Sequence, residues 1–291
     1  MSNRSEQLRK RVRQIMPSLK SERFVVRDEG LVNDVVIVNN EYVFRFAKSE
    51  KGAAVLEGET RILDLIRPHL AVSVPAPIGR GEDFLVYPYL DGVPLTLQSL
   101  RAMDQNACIH VAESMGRFLM SLHTTDITHA ELDLPITLAP VTYERWQGIY
   151  RAVKETVYPL LWEHQVEWAE SFFGEALSDP QFFTYESALI HGDLRPQHIL
   201  IDRHDPEIQG ILDFGVAGLG DPASDIGTLI NTYGESFAVK MRKTYPRLDE
   251  YLPRARFYAQ ALELHWVLLG IEYKENFWFV AHLGCARDLQ P

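Results

Sequence analysis

The hydrophobic pattern changes character twice along the chain. Residues 5–16 have helical character, with charges on most faces. From 22 to 48 the pattern turns to short runs rich in Val and Phe (RFVVRDEG, VNDVVIV and EYVFRFAK), broken at Gly30 and at Asn39-Asn40. Runs of this kind bounded by turn residues predict strands, with Asn39-Asn40 as a tight turn between two of them. Residues 53–66 return to helical spacing, with Val55, Ile62, Leu63 and Ile66 on one side. After Pro75-Ala76-Pro77, DFLVYPYL at 83–90 predicts one more strand.

Beyond Asp91-Gly92 the pattern is mainly helical. Residues 104–123 carry an amphipathic stripe of Ile109, Ala112, Met115, Phe118, Leu119 and Leu122, and Asp104 suits the N-cap. One or two helices are expected over 142–177, and others at about 222–243 and 254–283. Three short strand-like pieces interrupt them: ALIHGD, HILIDR and IQGILDF. The order predicts an α+β fold of two lobes. Residues 1–90 would form a small antiparallel sheet with one helix, residues 91–291 a larger helical lobe, and a ligand would bind in the cleft between them.

Composition narrows the classes. Of 291 residues, 46% are apolar and 24% charged, as in an ordinary globular protein. The net charge of −11 argues against a general nucleic-acid partner and suits a cationic substrate. Two distant cysteines, Cys108 and Cys285, build neither a disulfide framework nor a cysteine-rich zinc site. The first sixteen residues lack a signal-peptide apolar core, and no apolar run is long enough to span a bilayer. A cytoplasmic monomer without membrane contact is expected.

Candidate chemistry concentrates in 188–215. Asp193 and Asp213 each follow a short apolar strand, and a hairpin near residues 203–206 would bring the strand ends together. Two carboxylates presented into a cleft suit phosphoryl transfer, one facing the acceptor hydroxyl and the other holding magnesium.

His191-Gly192-Asp193-Leu194-Arg195-Pro196-Gln197-His198, followed by Asp213-Phe214-Gly215, resembles the paired motifs of the aminoglycoside phosphotransferase family. That family is similar in fold to protein kinases. Five further segments resemble it in order: EGLVNDVVIV, YVFRFAK, GETRILDLI, DFLVYPYLDGVPL and GDPASDIGTLI. The resemblance implies a protein-kinase-like fold and a small-molecule kinase that moves the γ-phosphate of ATP or GTP, with Mg2+, onto a substrate hydroxyl. It implies Asp193 as the base, Arg195 as a cation for phosphate charge, and Asp213 as a metal ligand. His191 would brace the loop.

Two positions depart from the usual pattern. His198 stands where Asn is usual, as in the branches acting on aminoglycosides at 2'' and macrolides at 2', and is expected to bind metal. Arg45 replaces the phosphate-holding lysine. Strand alternation puts Val43, Arg45 and Ala47 on one face and Lys48 on the other. Glu59 is the expected partner of Arg45, with Glu57 as the substitute.

Gly30, Asn33 and Asp34 would line the nucleotide loop. Tyr87 would be the gatekeeper, with the Pro88 carbonyl and the Leu90 N–H meeting a purine; neither ATP nor GTP is favoured. For a cationic acceptor of aminoglycoside type, Asp193, Glu235, Glu263 and Glu272 are the candidate acids. Glu263 and Glu272 fall on opposite faces of an unbroken helix, unless Gly270 relaxes it. A macrolide would need one acid and aromatic side chains such as Trp266 and Trp278. Other amino-alcohol or sugar kinases, a nucleotide-binding pseudokinase, and a hydrolase with metal held by His191, Asp193, His198 and Asp213 are the alternatives.

Overall fold

The computed structural model describes residues 3–20, 22–27, 32–128, 134–203 and 205–274. Gly30 and Trp278 therefore lie outside the described residues.

Helix α1 (Asn3–Ile15) precedes strands β1 (Phe24–Arg27), β2 (Asn33–Val38) and β3 (Tyr42–Ala47), then α2 (Glu50–Ile66), β4 (Gly79–Gly81) and β5 (Phe84–Pro88). The five strands form one antiparallel sheet in the order β1-β2-β3-β5-β4. Asn39 and Asn40 both take positive φ, 57° and 56°, the conformation a two-residue turn between twisted strands requires. β3 is buried on both faces, and that splits its alternating side chains between two cores. Phe44 and Phe46 pack with Leu8 and Val12 of α1, whereas Val43 packs with Leu56 of α2, Leu85 and Tyr87. The charged helix α1 thus covers the outer face of the sheet and leaves the other face to α2 and the cleft. Arg4 ties α1 to Asp34 (Nε to Oδ2 3.0 Å), and Lys48 approaches the same carboxylate at 3.7 Å.

The helical lobe follows the short strand β6 (Val93–Pro94) with α3 (Leu97–Ala102) and α4 (Gln105–His123), which Asp104 caps through the N–H of Ala107. Next come α5 (Tyr143–Thr156) and α6 (Glu163–Leu177). Strands β7 (Ala188–Ile190), β8 (Ile199–Ile201), β9 (Ile208–Ile211) and β10 (Gly218–Gly220) lead to α7 (Ala223–Tyr233), α8 (Glu235–Ala238) and α9 (Leu248–Glu272). α9 begins six residues earlier than the spacing suggested. It runs through Pro253 in its second turn, where the missing N–H costs the helix one main-chain bond, to the Asp249 oxygen. One apolar cluster unites these helices around Trp146, whose ring packs on Tyr258, Phe257 and Phe173. Among the described residues no helix is long and apolar enough to cross a membrane.

The small strands position the chemistry. β8 pairs with β6 and β9, and β7 pairs with β10. The loop 191–198 leaves β7 and enters β8, and Asp213 follows β9, so the hairpin brings both carboxylates to one end of the two ribbons.

Candidate active site

Arg45 is the hub of the sheet side. It sits on the cleft face of β3, opposite Leu85 in register, with Tyr87 two residues further along β5. Its Nη1 donates to Glu59 Oε1 at 2.6 Å and its Nη2 to Asp213 Oδ1 at 3.2 Å. With the Asn33 amide oriented to satisfy its neighbours, its carbonyl oxygen accepts from Arg45 Nη2 at 3.0 Å. A lysine has one nitrogen and no fork, so it could not span these three partners at once. Glu59 is buried on α2, whereas Glu57 points outward and pairs with Arg61. Burial pushes the Glu59 carboxyl up to about 7, against the pull of Arg45. Burial opposes the charge on Arg45, yet Glu59 and Asp213 together hold its pKa above the ordinary value.

Asp213 takes a φ of 62°, in the left-handed region that few residues except Gly, Asn and Asp occupy. That turn aims its carboxylate back at Arg45 and at His198. Although burial works the other way, the Arg45 guanidinium foremost holds the Asp213 carboxyl well below its usual value. His198 Nδ1 contacts the main-chain oxygen of Asp193 at 2.8 Å, an acceptor, so Nδ1 carries the hydrogen. In the neutral ring the lone pair is then on Nε2, which faces Asp213 Oδ2 at 3.5 Å. A lone pair and a carboxylate oxygen that face each other suit a cation between them.

Asp193 lies in the loop, with both oxygens held by Arg195: Nε to Oδ1 at 2.6 Å and Nη2 to Oδ2 at 2.7 Å. The Arg195 guanidinium lies 6.0 Å from the ring centre of Trp266 on α9. His191 uses both ring nitrogens on the main chain. Nδ1 accepts from the Asp193 N–H at 3.2 Å, and Nε2 contacts the Leu212 oxygen at 3.0 Å. It is a brace and has no nitrogen left for metal. Among the described residues no three His, Cys, Asp or Glu side chains converge as a metal cage. Mg2+ does not need one, because it is commonly held by one or two carboxylates together with phosphates.

The hinge follows β5. Tyr87 is buried beside Arg45 on the cleft face, the Tyr89 N–H donates to the Glu41 oxygen at 2.8 Å, and Leu90 packs over Gly210.

The acids expected for the acceptor are not gathered. Glu235 is held by Arg256 through two bonds of 2.7 and 2.8 Å, and Glu263 accepts from Asn231 Nδ2 at 2.7 Å. Glu272 is exposed at the end of α9, on the far side from Glu263, and the helix is unbroken at Gly270. Sequence reading missed the anchor of the loop. Asp225, fully buried in the first turn of α7, accepts the N–H groups of His191 at 2.9 Å and Gly192 at 2.7 Å, and contacts His123 Nε2 at 3.0 Å. The second of the two acids in GDPASDIG is its only signal in the sequence. Asp221, in the same segment, is buried under Arg254 and Tyr258.

A sheet lobe with a buried Arg–Glu pair, set over a helical lobe that presents two carboxylates from neighbouring loops, defines a kinase-like phosphotransferase. The sequence profile of the Phosphotransferase enzyme family matches residues 24–258, and the chain belongs to that family. It is 27% identical over 218 residues to viomycin phosphotransferase of Streptomyces vinaceus, covering 71% of this chain and 72% of that one. Its fold superposes with a TM-score of 0.84 on a GDP and kanamycin complex of an APH(2'') enzyme, at 23% identity over 96% of both chains. With macrolide 2'-phosphotransferase MphH of Brachybacterium faecium the TM-score is 0.72, at 19% identity over 97% of both chains.

Proposed function

We propose that this phosphotransferase moves the terminal phosphate of ATP or GTP, as the Mg2+ complex, to a hydroxyl of a small amine-bearing molecule of the aminoglycoside, viomycin or macrolide kind. The observation that carries the reading is the meeting of Asp193, His198 and Asp213 at one end of the hairpin, opposite Arg45. In this reading Asp193 accepts the hydrogen bond of the acceptor hydroxyl and orients it toward the phosphate. Arg195 holds both oxygens of that carboxylate and supplies positive charge beside the transferred group. Arg45, set by Glu59, holds the other phosphates with its planar fork. Bound Mg2+ would neutralise charge on the phosphate oxygens, and His198 and Asp213 are the residues that would hold it.

Tyr87, Pro88 and Leu90 would frame the purine, with Gly30 and Asn33 over the phosphates. Residues 1–90 would serve as the nucleotide lobe and 91–291 as the acceptor lobe. Of the candidate acids Glu235 would take an ammonium group most readily, because its exposed pair with Arg256 exchanges at little cost. Glu263 lies deeper along α9, and Glu272 would contribute only long-range charge.

The test is Mg2+-dependent nucleoside diphosphate release with ATP and with GTP, against kanamycin, viomycin, a macrolide and choline. Acceptor-dependent turnover that requires Mg2+ is expected. Nucleotide binding with no turnover on any hydroxylated amine would favour a pseudokinase instead.

A further inference from the structure

The polar chain that anchors the catalytic loop does not stop at Asp225. Its carboxylate takes the main-chain N–H groups of His191 and Gly192, one on each oxygen, at 2.9 and 2.7 Å. Those residues immediately precede Asp193. His123, the last residue of α4, adds Nε2 on Oδ2 at 3.0 Å. Its other nitrogen, Nδ1, lies 2.6 Å from the hydroxyl of Tyr245, which stands between α8 and α9 in sequence. Tyr245 is 2% exposed, and its ring meets the imidazole edge-on with centroids 5.6 Å apart.

The hydrogens along this chain follow from their partners. A carboxylate accepts only, so Nε2 of His123 carries a hydrogen. In the neutral ring Nδ1 is then an acceptor, and Tyr245 donates its O–H to it. Without that hydroxyl, Nδ1 would be buried and unpaired. The ring would then be held at Nε2 alone, with an unmet acceptor on its other side, and a ring fixed at one end can turn away from Asp225. A turned ring no longer holds Oδ2 of Asp225, which is the oxygen that also anchors His191.

We propose that Tyr245 is a positioning residue for phosphoryl transfer, acting on Asp193 through His123 and Asp225. It touches neither the reacting groups nor the sites for nucleotide and acceptor. Its effect is therefore on the placement of the Asp193 loop, and it appears in turnover and not in binding.

The test uses the full chain and four variants: Y245F, H123Q, the double variant, and Y233F. The last removes a comparable buried hydroxyl, which donates to the Leu95 oxygen at 2.6 Å outside this chain of contacts. Y245F is expected to lower kcat about threefold to tenfold with both KM values nearly unchanged, short of the roughly hundredfold that ångström-scale misplacement can cost. Amide hydrogens of His191 and Gly192 should exchange faster in Y245F than in Y233F at matched global stability. H123Q should give the same signature, and adding Y245F to it should lower kcat no further. Losses that multiply in the double variant would overturn the proposal. So would Y245F with the kcat and exchange rates of Y233F. Should Y245F not accumulate as folded protein, H123Q decides alone, and wild-type kcat with wild-type amide exchange in H123Q overturns the proposal.

Discussion

The two sides of the cleft hold their charged groups by different means. On the sheet side, Arg45 is fixed by side chains brought from a helix, a neighbouring strand and the loop after β9. On the helical side, the Asp193 loop is fixed by its own main chain, which Asp225 holds at two N–H groups, and by His191 beneath it. The first arrangement depends on desolvated charges, and the second on hydrogen bonds donated to a charge. Their pKa shifts differ accordingly. Burial raises Glu59, whereas in Asp225 hydrogen bonds from His123 and the loop outweigh burial and lower it. A site of this kind can let nucleotide contacts rearrange on the sheet side while the base stays in place.

The largest expected effect separates the two sides outright. Asp193→Asn should lower kcat by about a hundredfold to ten-thousandfold, the usual contribution of a positioned base. Its nucleotide affinity, measured by titration, should stay near wild type. Asp213→Ala should lose turnover and Mg2+–nucleotide affinity together. If Asp193→Asn turns over near the wild-type rate, the helical side is not where the hydroxyl is oriented.

Arg45→Lys keeps the charge but not the fork. The nucleotide KM should rise about tenfold, corresponding to about 1.4 kcal/mol, with a smaller change in the acceptor KM. A lysine variant with wild-type nucleotide KM would mean that the three-way contact of Arg45 does not matter for phosphate.

pH sharpens the contrast, because the two shifts have opposite sign. Asp225 is lowered from 3.8, so its contribution to stability is present above that value and lost as acid protonates the folded form. Glu59 is raised from 4.5 to about 7, so its contribution is present below 4.5 and lost as pH rises through about 7. Denaturant midpoints taken from pH 3 to 9 should show Asp225→Asn flattening the acid limb and Glu59→Gln flattening the fall through neutrality. Identical pH profiles for both variants would erase the distinction drawn between the two sides.

The smallest effect concerns the acceptor. Glu235→Gln should raise the KM of a polycationic acceptor about threefold at low salt, a difference that fades as ionic strength rises, because exposed pairs are worth about 1 kcal/mol or less. A KM unmoved by the mutation and by salt would remove Glu235 from the acceptor site.

The sequence by itself determined the order of strands and helices, the Asn39-Asn40 turn, the Asp104 cap and the two-carboxylate segment. Each of these is local: alternation, helical spacing and turn chemistry are set within a few residues. The family resemblance also pointed to Glu59 over Glu57, and α2 buries Glu59 and leaves Glu57 to Arg61. Only the tertiary structure decided which acids are already engaged. Arg256 comes to Glu235 from 21 residues away, Asn231 to Glu263 from 32, and His123 to Asp225 from 102. Residue type and spacing do not disclose such partners, because a carboxylate reads the same in sequence whether it faces water, a guanidinium or a main-chain N–H. The packing of α4, α7 and α9 into one core makes that choice, and with it fixes where the chain can still bind charge.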